Sequence, residues 1–141
     1  LDAWEAVAPT AVARNHPGVT VLDGTLYAVG GYDDDDYFLS SVERYDPALD
    51  AWEAVAPMTT ARESHGMAVL DGKLYAVGGQ SEADGEDEDG QDVADLAISN
   101  LVERYDMATK SWETVAPMAT PRENHAVAVL DGKPFAVGGS N

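Results

Sequence analysis

The chain has 141 residues, 26 of them acidic against 8 basic, giving a formal net charge of −18, and it has no cysteine. That charge argues against nucleic acid and anionic lipid surfaces as partners, since both are held by Lys and Arg. The missing thiols remove disulfides, thiolate metal sites and a cysteine nucleophile. An apolar fraction of 45% is enough for a core, and no apolar run approaches the ~18 residues of a membrane span. The first residues carry no leader pattern of basic then apolar residues. Cytoplasm is the expected compartment, with secretion left open because a disulfide-free secreted chain reads the same way.

Taken in chain order, residues 1–9 read Leu-Asp-Ala-Trp-Glu-Ala-Val-Ala-Pro and are expected to be the last strand of a preceding unit. Asp23-Gly24 follows between short apolar and aromatic runs. This is the strongest local hairpin signal, because both central residues need positive φ. The stretches 41–45 and 52–56 are two further strands joined across Asp46-Pro47, a turn pair. A second hairpin pairs 67–70 with 73–77 around Asp71-Gly72. Residues 80–98 then insert eight acids and no base, and are expected to be a solvated excursion dispensable for folding. Val102-Glu-Arg-Tyr-Asp106 returns to the strand pattern of 42–46, and Trp112 to that of Trp4 and Trp52. Asp131-Gly132 centres a third hairpin, with Pro134-Phe135 where the second unit has Leu-Tyr.

The repeat is explicit. Trp4, Trp52 and Trp112 lie 48 and 60 residues apart, and Arg14, Arg62 and Arg122 each follow their Trp by 10. The pairs Gly30-Gly31, Gly78-Gly79 and Gly138-Gly139 keep the same step, so the extra 12 residues of the second unit fall after its Gly pair. Four strands per unit without helical periodicity make a four-stranded antiparallel sheet. Such a sheet has two faces to bury, so copies must stack.

Gly-Gly, then Tyr, then Trp seven residues later on a repeat near 50 residues resembles the Kelch pattern. The strings Ala-Arg-Glu-Ser-His-Gly-Met-Ala-Val-Leu-Asp-Gly-Lys-Leu-Tyr-Ala-Val-Gly-Gly at 61–79 and Ser-Val-Glu-Arg-Tyr-Asp-Pro at 41–47 are similar to the Kelch-like group, whose propeller often follows BTB and BACK domains. The resemblance implies an all-β, Kelch-type β-propeller with fewer than three four-stranded blades, an incomplete ring completed by further blades in the same or another chain. Residues 1–9 are then the last strand of one blade, 10–57 and 58–117 two blades, the second with an acidic insertion at 80–98, and 118–141 the first two strands of another. It implies a module that binds a protein partner on its loop face, in one version as substrate receptor of a cullin-type ubiquitin ligase. An actin-associated or structural scaffold and a propeller enzyme of sugar-isomerase type are the alternatives.

No cofactor, metal or catalytic residue is expected. The Gly pairs lack the G-x-G-x-x-G and helix of a phosphate loop, and the cysteine–tyrosine cofactor of Kelch-related oxidases needs a cysteine. The three Trp, with Tyr45 and Tyr105, are expected to pack between blades, and His65 and His125 to be structural. Residues 87–92 resemble half of a calcium loop without its later bidentate Glu. The expected partner-binding residues are Arg14, Arg62 and Arg122, with Asp33, Asp34, Asp35, Asp36, Glu86, Asp87, Glu88 and Asp89. The arginine fork suits carboxylates, and the competing reading pairs each Arg with a strand acid such as Glu43 or Glu103. The acids imply a partner with a basic segment.

Overall fold

Asp-Gly turns adopt positive φ at both positions: 49° and 75° at Asp23 and Gly24, 50° and 72° at Asp71 and Gly72, 50° and 71° at Asp131 and Gly132. They set the frame of a computed structural model that describes residues 3–86 and 92–141, with side chains for 3–82 and 95–141. The strands in order are β1 (Gly18–Leu22), β2 (Thr25–Val29), β3 (Val42–Asp46), β4 (Ala51–Val55), β5 (Gly66–Leu70), β6 (Lys73–Val77), β7 (Gln80–Glu86), β8 (Asp92–Ile98), β9 (Val102–Asp106), β10 (Ser111–Val115), β11 (Ala126–Leu130) and β12 (Lys133–Val137). No helix occurs among the described residues, so none is long and apolar enough to cross a membrane.

Two antiparallel four-stranded sheets form, β1-β2-β3-β4 and β5-β6-β9-β10, followed by the two-stranded β11-β12. The seven-residue step from Tyr to Trp is a pairing rule made visible. Tyr45 lies opposite Trp52, and Tyr105 opposite Trp112, across the β3–β4 and β9–β10 turns. In each case the ring centroids are 5.3 Å apart, within the range where aromatic pairs add to simple burial. The turns between them are closed by Asp46 and Asp106, whose Oδ1 atoms accept the amides of Ala48 and Ala108 at 2.8 Å.

The sheets stack as propeller blades with β1, β5 and β11 side by side. Close approach at this inner edge explains Gly18. A Cβ there would sit 2.5 Å from both Nε2 of His65 and Cγ of Met67. The core joins Leu22, Tyr27, Val29 and Val42 of the first blade to Leu74, Ala76, Tyr105 and Trp112 of the second, through Met58 between them. Each Leu, Val and Met among them contributes about 1.5–3 kcal/mol when fully buried. Outer Trp rings tie the blades: Trp112 Nε1 donates to the Ala56 carbonyl at 2.9 Å, and Trp52 Nε1 to that of Ala8 at 2.8 Å.

Trp4 is 94% exposed, and no strand among the described residues pairs with the segment carrying it. The insertion leaves the blade as an excursion with an order of its own: β7 and β8 pair in register from Gln80–Ile98 to Glu86–Asp92 as a separate two-stranded ribbon.

Candidate interaction face

Each hairpin ends on a Gly pair, and close contact requires glycine there. Gly30 and Gly31 have φ of 62° and 93°, and a Cβ on either would lie 2.5 Å from a backbone oxygen, of Arg62 and Asn15 respectively. The chain then bonds to its own Arg connection. Asn15 and Tyr32 exchange amide–carbonyl bonds of 2.8 and 2.9 Å, Glu63 and Gln80 bonds of 3.0 and 2.9 Å, and Glu123 and Ser140 two of 3.0 Å. Gly31 N–H also donates across the blades to the Arg62 carbonyl at 2.9 Å, and Gly79 N–H to that of Arg122 at 2.7 Å. The Arg connections and the acidic connections thus leave the sheets together, at the edge opposite the Asp-Gly turns.

The arginines do not face outward from that edge. Arg14 donates to Glu43 Oε2 at 2.9 Å and to the carbonyls of Gly30 and Ser41 at 2.8 and 2.9 Å. Arg62 donates to Glu103 Oε2 at 2.8 Å and to the carbonyls of Gly78 and Leu101 at 2.8 and 3.0 Å. The Arg14 side chain is 2% exposed and that of Arg62 not at all, so both guanidinium groups are engaged inside the blades. Burial pulls the Arg62 guanidinium below its ordinary range, and Glu103 opposes this. The glutamates hold the incoming connection as well: Glu43 accepts from Ala11 N–H at 2.7 Å, and Glu103 from Thr59 N–H at 2.7 Å and Thr60 N–H at 3.2 Å. Arg122 donates to the Gly138 carbonyl at 2.7 Å and meets no carboxylate among the described residues.

Of the acids, Asp33 folds its own loop, accepting from the amides of Asp35 and Tyr37 at 3.0 Å each. Asp34, Asp35 and Asp36 are exposed. Glu86 ends β7 without a described side chain, and Asp87, Glu88 and Asp89 lie outside the described residues. The half calcium loop at 87–92 falls there too, Asp92 apart. No group of three His, Asp or Glu among the described residues could hold a metal.

His65 and His125 are buried with no normal hydrogen bond at either ring nitrogen. Burial drives the His65 imidazole down to about 3, with Arg62 and His125 adding repulsion and the Val29 backbone opposing weakly. His65 is therefore a neutral packing group against Gly18.

The sequence shows a histidine out of step with its repeat but not what that histidine meets. Pro17 takes the place of His65, and His16 takes that of Ser64; His16, Ser64 and Asn124 share a positive φ of 47°, 51° and 51°. His16 is thereby displaced out of the core, with Nδ1 2.9 Å from Glu63 Oε2 and its ring perpendicular to Tyr32 at 5.5 Å. Both line a cleft of about 270 Å³ with Asp36, Phe38, Gln80 and Leu96. The break in the repeat was the available signal. A larger apolar space of about 350 Å³ lies between the second blade and β11–β12, with Tyr75, Val77, Met118 and Val127 on its walls. Tyr105 and Met107 form one wall of the equivalent space a blade earlier, so this is a packing seam.

The architecture is that of consecutive blades of a β-propeller, and the family is evident in the repeats. The family model of the Kelch motif matches residues 13–59 and 61–119. The chain belongs to the Kelch-repeat family. It is 50% identical over 42 residues, 30% of its length, to Kelch-like protein 4 of Homo sapiens, and 46% over 48 residues, 34% of its length, to Kelch-like protein 33 of Homo sapiens. It is 52% identical over 40 residues, 28% of its length, to the influenza virus NS1A-binding protein homolog of Mus musculus. The matched stretches make up 6–9% of those relatives. The solved structure of YjhT superposes on 94% of this chain and 36% of its own, with a TM-score of 0.73 at 24% identity, which speaks for the fold alone.

Proposed function

We propose that these repeats bind a protein partner on the edge where the Arg and acidic connections emerge, and that the partner presents a basic segment to it. The observation that carries this is the withdrawal of Arg14 and Arg62 into pairs with Glu43 and Glu103. Their charge is cancelled inside the blades, and the acids are left to set the field of the face. Such a field raises association rates more than it deepens affinity. Asp34, Asp35, Asp36 and the acids of 82–92, including Glu86, Asp87, Glu88 and Asp89, supply the attracting charge. The Kelch-like relatives support an adaptor role, in its specific version substrate recognition for a cullin-type ubiquitin ligase, which needs BTB and BACK domains in the same protein.

The test is partner capture by the wild type beside a version with residues 33–36 and the acids of 82–92 neutralised. The wild type is expected to capture its partner with the steeper loss on added salt. Equal capture with equal salt dependence would reduce the rim to solvation. A second reading, a propeller enzyme of sugar-isomerase type, is favoured by one observation: His16 breaks the repeat and meets Glu63 in a cleft. Exchange of sugar isomers that His16→Ala abolishes would establish it over the first.

A further inference from the structure

The cleft around Glu63 has a chemistry of its own. Glu63 is largely buried, with 12% of its side chain exposed, and its position is fixed twice. Its backbone pairs with Gln80, and its Oε2 atom meets His16 Nδ1 at 2.9 Å and the Ser64 hydroxyl at 3.4 Å. No hydrogen bond reaches Oε1 among the described residues, so half of a preorganised carboxylate is left to an incoming donor. Tyr32 and Phe38 bring aromatic rings, Leu96 an apolar wall, Gln80 an amide and Asp36 a second carboxylate at the rim.

Aromatic rings beside a carboxylate favour a cation. Which cation follows from the free oxygens. A guanidinium prefers both oxygens of one carboxylate for its parallel fork, and His16 already occupies one. An ammonium is a compact charge with three donors that need not be coplanar. It can share Glu63 Oε1, the Gln80 carbonyl and Asp36, with its methylene stem along Phe38 and Leu96.

We infer that the cleft lined by His16, Tyr32, Asp36, Phe38, Glu63 and Gln80 is a pocket for one lysine side chain of the bound partner. This rests on the reading of the face as a site for a basic protein segment, and supplies the specific contact that the diffuse acidic rim lacks. The connections of two blades must meet to build it, since Tyr32, Asp36 and Phe38 come from the first and Glu63 and Gln80 from the second.

The test uses Nα-acetyl-lysine methylamide as probe on the full chain, read by ligand-observed saturation-transfer NMR. The norleucine analogue, equal in stem and uncharged, and the arginine analogue are the comparisons. Lysine is expected to saturate, norleucine not to, and arginine to bind several-fold more weakly. Glu63→Gln is expected to weaken lysine binding by roughly tenfold or more, the scale of one charge-assisted hydrogen bond. Phe38→Leu, which keeps an apolar side chain and all the charges, is expected to weaken it about threefold. Equal binding of norleucine, tighter binding of arginine, or indifference to both substitutions would each overturn the pocket. Partner capture that keeps its salt dependence in Glu63→Gln at undiminished affinity would also sink the pocket and leave the acidic face standing. Glu63-dependent lysine binding, with capture indifferent to the rim charges, would do the reverse.

Discussion

Replacing Glu103 by Ala tests the central feature of the face, the buried arginine. The substitution leaves the Arg62 guanidinium wholly enclosed, next to the carbonyls of Gly78 and Leu101 but with no anion. Breaking a buried pair from one side costs about 3–5 kcal/mol, because the remaining charge stays desolvated. Thr59 and Thr60 also lose their acceptor, but both keep some exposure and water replaces much of that. Against a total of ~5–15 kcal/mol for a domain, the loss should lower the melting temperature by on the order of 10 °C. Circular dichroism and Trp112 fluorescence should report it alike. Glu113→Ala is the control, since it breaks the half-exposed pair with Arg104 and should cost less than about 1 kcal/mol. The double replacement Arg62→Met with Glu103→Met should recover most of the loss by removing the stranded charge. If Glu103→Ala melts within a degree or two of the wild type, the arginine is not held as described. If the double variant recovers nothing, Glu103 acts by anchoring the connection.

Acid should destabilise the fold through His65. Its folded value of about 3 lies below the ordinary 6.5, so the unfolded chain takes the proton first; stability is full above 6.5 and is lost as pH falls towards 3. Between pH 6.5 and 5 the loss should be about 1.5 kcal/mol, and urea titrations of His65→Leu should lack that component; an unchanged slope would refute it. Trp112→Ala should cost about 3–5 kcal/mol, whereas Trp4→Ala should stay within about 0.5 kcal/mol, both from chemical denaturation; equal costs would mean that residues 3–9 are packed. Replacing residues 84–94 by Asn-Gly closes the ribbon at the Ala83–Asp95 pair and should move the melting temperature by less than about 3 °C, because closure entropy changes slowly with length. A fall of 10 °C in calorimetry would show the ribbon to be part of the core.

Most of the blade was legible in the sequence because its rules are local. Asp-Gly needs two positive φ angles, so each hairpin announced itself, and the step from Tyr45 to Trp52 specified a cross-strand pair by spacing alone. Stacking followed from a sheet with two apolar faces. What the sequence left open depended on which neighbour arrives from a distant segment. Arg14 and Arg62 read equally well as partner contacts or as internal counter-ions, and only the approach of Glu43 and Glu103, 29 and 41 residues further on, decided it. Trp112 shows that burial of a strand residue belongs to its partner strand, since its ring is covered where β9 brings Tyr105 opposite it. The pattern at 80–98 showed its charge but not its pairing. The cleft at His16 needed the tertiary structure most, for it exists where two blades bring Tyr32 and Glu63 together. A one-residue shift of a histidine against its repeat marks such a place, but the geometry of the stack decides what it faces.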